Sequence, residues 1–342
     1  MHSEGLLEKY REVGLLGKCE TFKQLLQTID ACVKVDVRVL LEGQSGTGKE
    51  RIARAIHNLS PRRNNQFVAI DCGAIPGDLL ESELFGHVKG AFTGAVRQRK
   101  GLLQEADGGT MFLDEVANLS LSFQAKFLRF LQENEIRPVG SNNTVPVQVR
   151  IISASSQQLD ELVIKNAFRQ DLYYRLNVYP IHVPSLSERR VDIAMLARHF
   201  LRRFSDRQEK QLQNIDAPMI EFFKNRPWPG NIREMENLIE RLVTLVDTET
   251  NTLPFNILPQ EYKQEWQKLQ KTVIPTEIKL SLEEKLAKYE KHLIHEALMA
   301  ANWNQSQAAR YLAISEQTMR YKMKRLHIGN PQLNSQQHTG IS

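Results

Sequence analysis

Short apolar runs alternate with helical spacings over the first half of the chain. Thr21–Val35 places Leu25, Leu26, Ile29 and Val33 on one side of a helix. Val35–Leu41 follows, a β-branched run that ends against a glycine-rich turn. Lys49–Leu59 then resumes helical spacing through Ile52, Ala55, Ile56 and Leu59. Further strands are predicted at Phe67–Ile70, Thr110–Leu113, Val147–Ala154 and Tyr179–Val183, with a helix over Leu121–Gln132 between two of them. Strands alternating with helices imply an α/β fold, a parallel sheet covered on both faces. After Pro184 the pattern becomes helical, with Val191–Arg207, Pro218–Asn225 and Ile232–Val246 predicting a small helical subdomain. Asp247–Lys279 is polar, carries Pro254, Pro259 and Pro275, and is predicted to be mostly linker. A long helix over Leu282–Ala301 and a helix–turn–helix over Gln305–Leu326 come next, and the polar residues 329–342 read as a disordered tail.

The 342 residues correspond to about two domains. Hydrophobic residues at 41% and charged ones at 25% describe an ordinary globular mix, and no apolar run approaches the ~20 residues of a membrane helix. The polar start, Met1-His2-Ser3-Glu4, has no signal-peptide core, so the expectation is a soluble, cytoplasmic protein without a membrane partner. The three cysteines, Cys19, Cys32 and Cys72, lack the spacing of a zinc site or a disulfide framework. A net charge of +5 is compatible with a polyanionic partner, and part of it concentrates near the C-terminus.

The chemistry begins at the glycine-rich turn. Gly43-Gln44-Ser45-Gly46-Thr47-Gly48-Lys49-Glu50 nearly matches the phosphate-binding pattern of Walker A. Its glycines let backbone N–H groups close around phosphate oxygens at a helix N-terminus, and Lys49 would reach the β- and γ-phosphates of ATP. The pattern expects Ser or Thr after the lysine as a Mg2+ ligand, and Glu50 stands there instead. Thr110–Leu113 delivers Asp114 and Glu115 at a strand's C-terminal end, where open α/β sheets bind ligands. Asp114 would hold Mg2+, and Glu115 would act as general base on the attacking water. Gly90-Ala91-Phe92-Thr93-Gly94-Ala95 is a flexible, uncharged loop around an aromatic residue. Physical reasoning alone favours a turn whose Phe92 packs into the core over one that docks on a partner.

The phosphate loop and acid pair, with Ile152–Ser156, resemble the AAA+ ATPases. The hexapeptide Gly90–Ala95 is identical to the signature loop of the bacterial sigma-54-dependent activators, or enhancer-binding proteins. The resemblance runs from about Leu15 to Ile328 and includes Phe168–Leu176 and Trp228-Pro229-Gly230-Asn231-Ile232-Arg233-Glu234. That family commonly has Glu after the Walker lysine, which accounts for Glu50. The resemblance implies that Gly90, Ala91, Phe92, Thr93, Gly94 and Ala95 contact sigma-54 RNA polymerase. It further implies that Leu16, Gly17 and Arg233 border the nucleotide, and that Arg169 and Arg175 reach it from a neighbouring subunit. The family's sensor positions hold Asp71, where Asn is frequent, and Ser155-Ser156, where Thr-Asn is usual. An Asp facing Glu115 would repel it or share its proton. Ser156 is short enough that its contact is expected through water.

Ala308, Ala309 and Leu312 would pack inward in the helix–turn–helix, with Ser315 capping its second helix. Gln317, Thr318 and Arg320 would face DNA bases, the later cations Lys322, Lys324 and Arg325 the phosphates, and Tyr321 belongs to the same DNA-binding set. The segment resembles the Fis-type domain of these activators, with Ala313 where Gly is frequent. Leu282–Ala301, with Leu286, Tyr289, Leu293, Ile294 and Leu298, would form its dimer. The implied architecture is an N-terminal extension (1–14), an AAA+ α/β part (15–184), a helical lid (185–257), a linker (258–281), a DNA reader (282–328) and a tail (329–342). The expected function is an ATP-driven activator that assembles as a homo-oligomer, a hexameric ring when active, binds enhancer DNA and remodels closed promoter complexes. The rival expectation is a DNA-binding regulator that binds ATP and acts by occupancy. About 15 residues precede the ATPase region, which suits either a standalone activator or part of a longer one.

Overall fold

The computed structural model describes residues 2–92, 95–247, 250–272, 282–301, 303–326 and 328. The chain divides into two compact units, Met1–Gln260 and Glu261–Ser342. No helix among the described residues is long and apolar enough to cross a membrane.

Five parallel strands form the sheet of the first unit: β1 (Val39–Glu42), β2 (Phe67–Asp71), β3 (Thr110–Asp114), β4 (Arg150–Ser155) and β5 (Tyr179–His182). Their spatial order is β2-β3-β4-β1-β5. β1 starts four residues later than its apolar run, because Val35 sits exposed in the turn that closes the preceding helix. Val39, Leu40 and Leu41 have no exposed surface, as a strand covered on both faces requires. Pro180 sits in β5, an edge strand, where a missing N–H is tolerated.

Alternate strand residues serve opposite cores. The flanking helices are α1 (His2–Glu12), α2 (Glu20–Val33), α3 (Lys49–Asn58), α4 (Gly77–Phe85) and α5 (Leu121–Glu133). Leu40, Met111, Leu113 and Ile151 pack with Phe123 and Phe127 of α5. Leu41, Phe112, Ile152 and Ala154 pack with Leu26 and Ile29 of α2 and with Ile52 and Ile56 of α3. The predicted extension, 1–14, is mostly helix α1, whose buried Tyr10 donates a hydrogen bond to Asp30 at 3.2 Å. Burial first, and then the Asp30 carboxylate, push the Tyr10 phenol pKa well up.

α6 (Gln170–Leu176) follows β4 and packs Leu172 and Leu176 against the sheet core, and the helical part of this unit contains α7 (Ile193–Arg207), α8 (Ala217–Asn225) and α9 (Asn231–Leu245). A capping box opens the turn before α7, with the Ser185 N–H donating to Glu188 at 2.8 Å. Trp228 is buried and donates its indole N–H to the Phe223 carbonyl at 2.7 Å. Asn214–Ile215 pairs in parallel with Thr252–Leu253, a ladder too short to show a period in the sequence.

The predicted linker is partly helix: α10 (Gln260–Thr272) lies within it. The polar residues that suggested a linker are compatible with a helix. Pro259 stands just ahead of its first turn, where the missing N–H costs nothing, and Trp266 is buried. Residues 273–281 and the predicted tail, 329–342, lie outside the described residues.

The second unit contains α11 (Leu282–Ala300), α12 (Gln305–Tyr311) and α13 (Glu316–Arg325). Ile294 and Leu298 pack with Ala308, Ala309, Met319 and Met323, and Leu312 is partly buried against them. Ser315 caps α13, accepting the Thr318 N–H at 3.1 Å. Ala313 turns the chain with φ at +52°, a left-handed conformation that costs an L-residue about 1–2 kcal/mol.

Candidate functional site

The phosphate loop leaves β1 at Gly43 and enters α3 at Lys49. Gly46 has φ at +76°, and a Cβ there would lie 2.2 Å from the Gly230 carbonyl oxygen, so only glycine fits. The Lys49 side chain is 5% exposed; its Nζ donates to the Gly43 carbonyl at 2.8 Å and stands 3.7 Å from Glu115 Oε1. The buried ammonium therefore has little water, and added negative charge would stabilise it. Thr47 braces the turn by donating to the Gln44 carbonyl at 2.8 Å. The exposed Glu50 is engaged along the helix with Arg54 at 2.7 Å.

β2 and β3 end in register, with Asp71 beside Asp114. Asp114 Oδ1 accepts the Glu115 N–H at 3.0 Å. Burial pushes the Asp114 carboxyl pKa up, and the Lys49 charge opposes it. Glu115 holds φ at +52°, a strained backbone of the kind that clusters at functional sites. Its Oε2 accepts the Ser156 hydroxyl at 2.6 Å and the Ser156 N–H at 3.2 Å. Ser156 thus touches Glu115 directly, where a water-mediated contact was expected; the backbone brings both groups close enough for the short side chain. Ser155 instead donates to the Gln157 carbonyl at 2.6 Å. Asp71 accepts the Gly73 N–H at 2.8 Å, so its carboxylate serves its own turn. Burial, with the Asp71 and Asp114 charges, pushes the Cys72 thiol up to about 12.

The start of α9 caps the loop. The Arg233 N–H donates to the Gly46 carbonyl at 3.2 Å, and its guanidinium to Ser45 Oγ at 3.3 Å. The Asn231 side chain, at φ +51°, donates to the Ser45 carbonyl at 3.0 Å and to Gln44 Oε1 at 3.1 Å. Across the site, buried Arg189 donates to the Leu16 carbonyl at 2.6 Å and pairs with Asp192 at 3.1 Å. Gly17 packs against Phe22 and Arg189, where a Cβ would lie 2.2 Å from the ring. A cavity of about 320 Å³ results, lined by Leu16, Lys49, Asp71, Asp114, Glu115 and Arg233 among others. The described residues hold no cluster of three or more metal-ligating side chains. Magnesium takes one or two carboxylates together with phosphate oxygens and water, and Asp114 fits that donor set.

Two other predicted site residues lie apart. Arg169 pairs with Asp171 at 2.7 Å, and Arg175 is exposed without an ion pair among the described residues. Neither lines the cavity around Lys49. In the loop, the Gly90 N–H donates to the Ala95 carbonyl at 2.9 Å and closes a turn. Phe92 is 44% exposed and meets His87 edge-on, with ring centroids 5.1 Å apart, so it is not a core residue. Thr93 and Gly94 lie outside the described residues.

On α13, Gln317, Arg320, Tyr321 and Lys324 are exposed at helical spacing and share one face. Thr318 is partly turned to Ser315, its hydroxyl 2.7 Å from the capping oxygen. Lys322 and Arg325 pair with Glu290 of α11, so these two predicted phosphate contacts already have a partner.

Comparison with known proteins matches residues 15–182 to the sigma-54 interaction domain, 187–273 to the AAA+ ATPase lid domain, and 285–326 to the bacterial regulatory protein, Fis family. The transcriptional regulatory protein ZraR of Salmonella typhimurium is 44% identical over 92% of this chain and 69% of its own. The Nif-specific regulatory protein of Klebsiella pneumoniae is 44% identical over 93% of this chain and 60% of its own. The chain belongs to the sigma-54-dependent transcriptional activators. The crystal structure of NtrX from Brucella abortus in complex with ATP shares the fold of this activator, with a TM-score of 0.66 and 32% identity over 92% of this chain and 69% of that one.

Sequence reasoning missed several groups of the activator's site. Asn231 lies within the Trp228–Glu234 motif, but its left-handed backbone does not show in residue order. Arg189 and Asp192 lie some 170 positions from the Lys18 and Cys19 N–H groups that Asp192 accepts. Only the fold makes them neighbours.

Proposed function

We propose that this activator binds and hydrolyses ATP in the cavity around Lys49 and uses the cycle to remodel a closed promoter complex. The observation that carries this reading is the docking of Asn231 and Arg233 on Ser45 and Gly46, directly beside Asp114 and Glu115. Lys49 Nζ meets the β- and γ-phosphates, and the loop's N–H groups cradle them. Bound Mg2+, held by Asp114, would supply neutralisation of phosphate charge. Glu115 releases Ser156 and accepts a proton from water as its oxygen bonds the γ-phosphorus and the bond to the β-phosphate oxygen breaks. Arg233 follows the nucleotide from the lid.

On this reading residues 15–184 are the motor, 185–257 the lid and 282–328 the DNA reader. Arg169 and Arg175 complete the site from the next subunit of a hexameric ring, in keeping with their absence from the cavity lining in one chain. The Gly90–Ala95 loop presents Phe92 and Thr93 to sigma-54. α13 reads enhancer DNA through Gln317, Arg320, Tyr321 and Lys324. Exposed Leu286, Tyr289 and Leu293 on α11 supply a dimer face. An ATPase assay of the wild type and Glu115→Ala tests the motor; equal background turnover in both would end it. For the loop, undiminished sigma-54 binding by Thr93→Ala with a transition-state-like nucleotide would count against the assignment.

A further inference from the structure

Beside the nucleotide cavity a second depression of about 860 Å³ lies between α1 and α7. Arg11, Lys18, Arg198 and Arg202 line it together with His199, against a single acid, Glu8. Leu15, Leu16 and Met195 give it an apolar floor. Other cations of these two helices have carboxylate partners: Lys9 has Asp30, Arg203 has Glu236, and Arg207 has Glu240. Among the described residues, the side chains of Arg11, Lys18, Arg198 and Arg202 have no ion pair and no hydrogen bond. Like charges gathered with only one acid beside them cost free energy, and in a concave surface they raise the local concentration of anions. His199 lies on the same wall, and of the depression's cations only Arg11 adds to its shift. Burial first, then Arg203, Arg51 and Arg11, hold its imidazole pKa below the usual value, against Glu236.

We propose that this depression binds a small molecule carrying two or more phosphate groups, at a site separate from the phosphate loop. The arginines offer planar forks that grip phosphate oxygens in pairs. The apolar floor would take the ligand's ring or aliphatic body. Arg11 comes from α1, and Arg198 and Arg202 come from α7, so the ligand ties the N-terminal helix to the lid. Leu15, Leu16 and His199 also border the nucleotide cavity, which places this ligand one wall away from ATP.

Inorganic tripolyphosphate titrated calorimetrically into the full chain carrying Lys49→Ala is the test. The probe should still bind, and Arg198→Ser with Arg202→Ser should weaken it at least about tenfold. Arg198→Lys with Arg202→Lys should give an intermediate loss, because a point charge replaces a fork. Both arginines are exposed and unpartnered, and removing them relieves like-charge repulsion, so the unfolding midpoint should not fall. Binding that vanishes with Lys49→Ala and ignores the arginines would place the probe in the phosphate loop and overturn the proposal. A loss of duplex-DNA affinity in the arginine variants, with tripolyphosphate unaffected, would overturn it in favour of nucleic acid. Displacement by poly-glutamate alone would do so in favour of an acidic protein segment. Failure of the ATP reading is distinguishable, since it leaves the arginine effect on the probe intact.

Discussion

The nucleotide cavity and the exposed face of α13 handle polar side chains in opposite ways. Around the cavity nearly every polar group already has a partner within the chain: Lys49 on Gly43, Glu115 on Ser156, Asn231 on Ser45, Arg189 on Asp192. On α13, Gln317, Arg320, Tyr321 and Lys324 stand exposed with no side-chain hydrogen bond or ion pair among the described residues, while Thr318 bonds Ser315 and the flanking Lys322 and Arg325 are tied to Glu290. Bond breaking needs groups fixed before the substrate arrives, because reorganising them would consume the stabilisation they give. Reading a base edge needs donors whose only cost of engagement is leaving water. On the proposed reading, one chain thus places order where chemistry occurs and leaves freedom where a long polymer must be scanned.

The largest expected effect breaks the ordered side of that comparison. Glu115→Gln should lower steady-state ATP turnover by about 10²–10⁴ while nucleotide binding persists. A rate within a factor of two of wild type would remove Glu115 from the chemistry. On the free side, Arg320→Ala should weaken specific DNA binding by about 1–3 kcal/mol. Lys322→Ala should cost less, since its charge is partly spent on Glu290, and gel-shift affinities for the pair reveal which is larger. Equal losses would mean the Glu290 pairs dissolve on DNA.

Ser156→Ala probes whether order can also restrain. With one hydrogen bond worth about 0.5–1.5 kcal/mol, freeing Glu115 should raise basal turnover about two- to tenfold, and a fall would make Ser156 a helper of the reaction. Ala313→Gly should stabilise the second unit by roughly 0.5–1 kcal/mol, seen as a higher denaturation midpoint, because glycine adopts the left-handed turn without strain. The smallest effect concerns Glu290. Its hydrogen bond from Lys322, then the Lys322 and Arg325 charges, hold its carboxyl below the ordinary glutamate range. A depressed folded pKa contributes stability above the unfolded value, about 4.3, and loses it as pH falls through the lowered one. Glu290→Gln should therefore flatten the acid side of the unit's stability profile.

Much of the frame was legible in residue order. Short apolar runs located β1 to β5 and the 3.6-residue period most of the long helices, since a strand covered on both faces is continuously apolar and a helix buries one face. The phosphate loop was legible because its glycines are required by backbone conformation, as at Gly46, rather than by packing with distant residues. α10 was missed because its polar surface resembles a linker, and a single buried Trp266 gives no period.

By itself, then, the sequence determined the fold class, the phosphate loop, the acid pair and the family's signature loop. Each is written in a contiguous stretch whose local physics dictates its form. The tertiary structure alone decided that Ser156, rather than Asp71, holds Glu115, that Asn231 clamps Ser45, and that Lys322 and Arg325 turn to Glu290. It alone gathered Arg11, Lys18, Arg198 and Arg202 around one depression. Those outcomes depend on angles and distances between elements far apart in the chain. Hydrogen bonds and ion pairs change with a few tenths of an ångström, a precision that no periodicity in the sequence encodes.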